Sequence, residues 1–217
     1  MKNKITRQTL LPICRELSHN DPDLKSIYRT YGPPPLWDRP AGFPTLVQII
    51  LEQQVSLSSA RAAFDKLLLS IGRVAPEKLL KLGDDELKKI GFSRQKTAYV
   101  RGLAEAVLDD KIDLEGLEEL PDAEAKKELT RIKGIGEWTS DIYLLMALLR
   151  PDVMPKGDLA LHAAYQKLKG LTERPGAEEF IRLAEKWKPH RSVAARLLWH
   201  FYLSERNAPE KVGKKSF

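Results

Sequence analysis

The chain has 217 residues, 42% of them hydrophobic and 30% charged, with a formal charge of +6. That is the composition of a soluble globular protein able to bury about 70% of the surface its unfolded form exposes. No apolar run reaches bilayer length and the first residues carry no apolar signal-peptide core, so neither a membrane span nor a secretory leader is expected. The single cysteine, Cys14, excludes an internal disulfide and a cluster held by several cysteines, and points to a reducing compartment.

The periodicity is helical throughout, with no sustained alternation of the strand type. Residues 1–40 read as an N-terminal helical arm, closed by the Pro-rich stretch 32–40 as a candidate hinge. Phe43, Leu46, Val47, Ile50 and Gln54 then share one helical face. Phe64, Leu67, Leu68 and Ile71 share a second, and Tyr99, Leu103, Ala106 and Val107 a third. A helix is expected over about 121–130 and another over about 137–150, where Trp138, Ile142, Leu145 and Leu149 align. Asp158 precedes a helix over 159–169, and Val193, Leu197 and Phe201 mark the last. Pro and Gly breaks between these segments give about ten helices with short connections, an all-α domain spanning 1–217.

The charge is unevenly placed. From position 186 to the C-terminus eight Lys and Arg stand against Glu205 and Glu210, whereas 105–128 holds ten acids and three bases. This asymmetry suits a polyanion bound on the basic side, with the acidic segment turned away. The final GKKSF reads as a solvated tail.

Ile132-Lys133-Gly134-Ile135-Gly136 joins the two central helices. Glycine accepts positive φ and lets another backbone approach, and a helix start offers amide protons, so the segment can hold an anion. The same residues also suit an ordinary tight turn pinned to the core by Ile132 and Ile135. Asp158, after Gly157 and before an apolar-periodic segment, has the pattern of an N-cap. Gln53 and Gln54 end an apolar stripe, as residues of a solvated helix end also do. Trp138 suits core packing or a pocket. Trp199 lies off the Val193–Leu197–Phe201 face and needs a partner elsewhere. His19, His162, His190 and His200 show no metal-ligand spacing.

The run L-x-x-I-K-G-I-G-x-W-T, followed by an apolar helix, resembles the helix-hairpin-helix motif of DNA-binding repair proteins. The order hairpin, helix, Pro-containing loop, Gly157-Asp158-Leu159 resembles the helix-hairpin-helix, Gly/Pro-rich, Asp glycosylase superfamily. Three more segments are similar to its 3-methyladenine DNA glycosylase II branch. These are Ile50-Leu-Glu-Gln-Gln-Val-Ser-Leu-Ser-Ser-Ala60, Gly91-Phe-Ser-Arg-Gln-Lys96, and Trp187-Lys-Pro-His-Arg-Ser192 with Trp199. The resemblance covers about residues 43–202. It departs in lacking room for the extra N-terminal β-domain of longer members, and in His190 where an aromatic is frequent.

The resemblance implies a compact two-lobed bundle with the active-site cleft between the lobes. It implies that Asp158 is catalytic, that Trp138, Trp199, Gln53 and Trp37 line the base pocket, and that Gln54 intercalates in DNA. Lys133, Gly134, Ile135, Gly136, Thr139 and Lys156 would contact DNA. No cofactor is required for catalysis, and the carbonyls of Thr130, Ile132 and Gly134 would hold Na+ or K+. Bifunctional members carry a Schiff-base lysine where this chain has Trp138, so a monofunctional hydrolase without abasic-site lyase activity is implied. Its substrates would be alkylated purines of the 3-methyladenine and 7-methylguanine type, whose positive charge an aromatic pocket attracts. The implied partner is double-stranded DNA with damaged bases, met by a monomer in base excision repair. The implied setting is the cytoplasm beside the nucleoid, or the nucleus in a eukaryote, with no membrane. Two other expectations stay open: a related glycosylase for deaminated or mismatched bases, and a non-catalytic DNA-binding module.

Overall fold

Caps and glycines set where each helix begins and ends. The computed structural model describes residues 4–207. These form α1 (Arg7–Asn20), α2 (Pro22–Tyr31), α3 (Phe43–Glu52), α4 (Leu57–Ile71), α5 (Pro76–Leu79), α6 (Asp84–Ile90) and α7 (Arg94–Leu108). They continue with α8 (Asp122–Thr130), α9 (Glu137–Met146), α10 (Leu159–Lys169), α11 (Ala177–Ala184) and α12 (Arg191–Asn207). Two short 3-10 turns, Gly116–Glu118 and Glu185–Trp187, complete the described residues, which contain no strand. The all-α expectation holds, with twelve α-helices among these residues rather than about ten. Ser56, Ser93 and Asp158 each accept a backbone N–H three residues on, from Ser59, Lys96 and Leu161. Such a cap contributes about 1 kcal/mol.

The chain divides into two compact units. One comprises Trp37–Arg150 with Lys4; the other comprises Ile5–Leu36 and the described residues from Pro151 onward. In the first, α3 packs on α4, α7 and α9. Its Leu46, Val47, Ile49, Ile50 and Leu51 are at most 1% exposed, and each such burial contributes roughly 1.5–3 kcal/mol. In the second, α12 packs on α1, α2 and α10.

Several expected boundaries and faces are corrected. α9 ends at Met146, not 150, because Leu149 has φ 55 and Arg150 precedes a proline, which disfavours helical backbone. α3 ends at Glu52, so Gln54 is not on its apolar face. On α4 the buried line is Ala60, Ala63 and Leu67, and Leu68 is exposed. The small alanines let neighbouring helices approach, which an apolar count misses.

Among the described residues of the basic C-terminal segment, most cations have partners within the fold. Lys186 pairs with the buried Asp21, and Lys188 with Glu185. Arg191 pairs with Asp152 and Glu185. Arg196 is fully buried, donating to the Leu36 and Ser192 carbonyls at 2.7 and 3.0 Å. Lys211, Lys214, Lys215 and the GKKSF tail lie outside the described residues. Cys14 is also fully buried, and burial pushes its thiol up to about 12, against the opposing pull of Arg196.

Candidate active site

The hairpin belongs to the first unit. α8 closes at Thr130, and the Ile132 carbonyl accepts the Ile135 N–H at 3.0 Å to make the turn. Gly134 sits at φ 95, and Ile135 is buried, pinning the loop to the core. Gly136 starts α9 without any capping side chain. A helix start leaves its first amides without intrahelical acceptors, so this end has donors that an anion could use. Lys133 and Gly136 are exposed, whereas Thr139 is only 2% exposed.

The residue beneath the hairpin is one the sequence did not single out for this role. A Cβ added to Gly134 would lie 2.2 Å from Cγ of Tyr99, so the glycine backbone rests on that ring. Gly134 is therefore glycine for two reasons, its positive φ and the tyrosine below it. Gly136 differs, since nothing lies within 4 Å of the equivalent atom. Tyr99 receives a hydrogen bond from Gln95 at 2.6 Å.

Gln53 and Gln54 follow α3. Gln53 is half-buried, and its amide nitrogen donates to the Gly134 carbonyl and to Thr139 Oγ1, both at 2.9 Å. Gln54 is exposed, with φ 56. Lys96, at the end of the Gly91–Lys96 segment, donates Nζ to the Leu51 carbonyl at 2.6 Å, and burial holds its amine below the usual range. Trp138, half-buried, is the second residue of α9. Trp37, also half-buried, has φ 49 where the chain passes from one unit to the other. The carbonyls of Thr130, Ile132 and Gly134 are neutral oxygen donors. Those of Ile132 and Gly134 each accept one hydrogen bond and keep a second lone pair.

Asp158 belongs to the second unit and is 7% exposed. Its Oδ1 accepts the Leu161 N–H at 2.9 Å and the Trp199 indole N–H at 3.2 Å. The carboxylate thus caps α10 and is fixed by α12 at once. Trp199 is 8% exposed. α12 is buried on nearly every side from Ser192 to Trp199, so lying off one apolar face does not by itself mark a pocket residue. The Trp187–Ser192 segment fastens the loop that leads to Asp158. Arg191 grips the Asp152 carboxylate at 2.8 and 3.0 Å. Ser192 Oγ accepts the Val153 N–H at 2.9 Å and donates to the Val153 carbonyl at 3.1 Å. Trp187 donates to Asp21 at 2.8 Å. Lys156 pairs with Glu178 at 2.6 Å.

Residues 47–190 match the model described as HhH-GPD superfamily base excision DNA repair protein. The chain belongs to that superfamily. Among its relatives, DNA-3-methyladenine glycosylase 1 of Schizosaccharomyces pombe is 30% identical over 84% of this chain and 82% of its own length. The same organism's alkylbase DNA glycosidase-like protein mag2 is 28% identical over 85% and 90%. Two solved structures superpose well. The S. pombe enzyme Mag1 in complex with abasic DNA has a TM-score of 0.81 at 28% identity, covering 91% of this chain and 98% of that one. A DNA-3-methyladenine glycosidase from Bacillus halodurans has 0.73 at 30%, covering 89% and 91%.

His162, one turn beyond Asp158, gives a testable consequence of this burial. Its ring lies 4.7 Å from that of Phe180, and its Nε2 is buried without a hydrogen-bond partner. Burial pushes the imidazole below its ordinary value, against the opposing charge of Asp158. A histidine harder to protonate folded than unfolded leaves stability full above the unfolded value of about 6.5, and stability is lost as pH falls below it. The melting temperature of the wild type should therefore fall more steeply than that of His162→Gln as pH drops through about 6.5. Parallel slopes would remove His162 as the cause.

Proposed function

We propose that this chain is a DNA glycosylase that excises alkylated purines, of the 3-methyladenine and 7-methylguanine type, by hydrolysis in base excision repair. The single observation that carries the reading is the double hold on Asp158, which caps α10 while accepting the Trp199 indole. An N-cap alone needs no second donor from another helix.

The chemistry follows from the charge of the substrate. A purine alkylated at N3 or N7 is cationic, so it leaves as a neutral base when its bond to the sugar breaks. The enzyme needs little acid catalysis and mainly an anion for the oxocarbenium ion that develops. Asp158 supplies that negative charge and an oxygen able to take the proton of the water that adds to the sugar. Trp199, whose indole N–H reaches Asp158, offers aromatic surface for a cationic base. The hairpin amides of Gly134 and Gly136 hold a DNA phosphate without reading sequence, with Lys133 and Lys156 as further phosphate contacts. The carbonyls of Thr130, Ile132 and Gly134 would hold a monovalent cation, which would add positive charge to the hairpin. Gln54 fills the space of the base that must leave the stack before it can be cut.

The enzyme is monofunctional on this reading. Residue 138 is a tryptophan and offers no amine to the sugar. Excision should leave an intact abasic strand that breaks only after added alkali. Borohydride present during turnover should trap no protein–DNA adduct. Efficient trapping that disappears in Lys156→Ala would reverse the assignment.

A further inference from the structure

Gln53 has both of its amide hydrogens committed to the hairpin, one to the Gly134 carbonyl and one to Thr139 Oγ1. It is also the C-cap of α3 and the residue directly before Gln54. Two more contacts close a ring around it. Lys96 of α7 holds the Leu51 carbonyl in the last turn of α3, and Tyr99 of the same helix lies under Gly134. The end of α3, the hairpin and the start of α7 therefore brace one another in pairs. Gln54 projects from this ring with a left-handed backbone, a conformation that persists only where the surroundings over-determine it.

We propose that Gln53 is a positioning residue that couples the hairpin to the turn bearing Gln54, so that gripping a phosphate sets how far Gln54 enters the base stack. This rests on the glycosylase reading above. Flipping a paired base costs a few kcal/mol. A side chain that fills the gap repays this only if it is already fixed in place, since a loose one must first be ordered. Loss of Gln53 should slow the step that needs unpairing and spare bond cleavage itself.

The test uses Gln53→Glu, which keeps the side-chain length and removes both donors. Release of 7-methylguanine in a single turnover is measured from a duplex with cytosine opposite, and from the same duplex with a stable abasic analogue opposite. The rate should fall about tenfold or more in the first and by less than about twofold in the second, the size of effect expected when a buried hydrogen-bonding group is stranded. An equal fall in both would make Gln53 a residue of the base pocket or of general structure, and no fall in either would remove it from the mechanism. Thr139→Val, which deletes one acceptor and keeps the side-chain shape, should show the same selectivity with a smaller loss, and decides the matter if the first variant does not fold. A wild type inactive on both duplexes would instead sink the glycosylase reading.

Discussion

Asp158→Asn should fold as the wild type does, bind DNA at least as tightly, and lose base release by about two to three powers of ten or more. The geometry makes this substitution clean. Asp158 uses Oδ1 for both the Leu161 cap and the Trp199 indole, and an asparagine oxygen accepts both. Asn also caps helices about as well as Asp, so the change in stability should stay within about 1 kcal/mol. The negative charge is removed, and the second carboxylate oxygen becomes an amide donor. Base release is read by chromatography of the freed purine, and binding by fluorescence anisotropy. A variant that excises at close to the wild-type rate would reduce Asp158 to a helix cap.

The two hairpin glycines should behave differently, although backbone approach to a phosphate alone would predict similar losses at both. Gly134→Ala places a methyl group 2.2 Å from the Tyr99 ring and asks alanine to hold φ 95. Overpacking of this kind costs about 1–3 kcal/mol and the strained backbone about 1 kcal/mol more. Stability and DNA binding should both fall. Gly136→Ala meets nothing within 4 Å, so its melting temperature should be unchanged while affinity drops on damaged and undamaged duplexes alike. Tyr99→Ala should restore part of the stability lost in Gly134→Ala. Equal melting temperatures for the two single variants would show that Tyr99 does not constrain the hairpin.

Helix existence and order were legible because apolar residues recur at helical spacing and Pro and Gly interrupt them. The Asp158 cap was legible for the same local reason. What the sequence hid lies in contacts between distant positions. Tyr99 is 35 residues from Gly134, and nothing in G-x-G says what lies beneath it. Gln53 reads as a solvated helix end, yet its donors reach residues 81 and 86 positions away. Charge counts along the basic C-terminal segment carry no information about partners. Asp21 and Asp152, far upstream, absorb Lys186 and Arg191. The resembling segments at 91–96 and 187–192 were visible as patterns, but their mechanical work was not. One ties α7 to the end of α3, and the other fastens the loop before Asp158.

The central claim is excision of alkylated purines, and the most direct measurement is base release from a panel of otherwise identical duplexes. The panel carries 3-methyladenine, 7-methylguanine, hypoxanthine or a mismatch, and each is incubated with the wild type and with Asp158→Asn. The account predicts release of the two alkylated purines by the wild type and their retention by the variant. Duplexes bound but left intact at every lesion, or release confined to hypoxanthine or the mismatch, would contradict it.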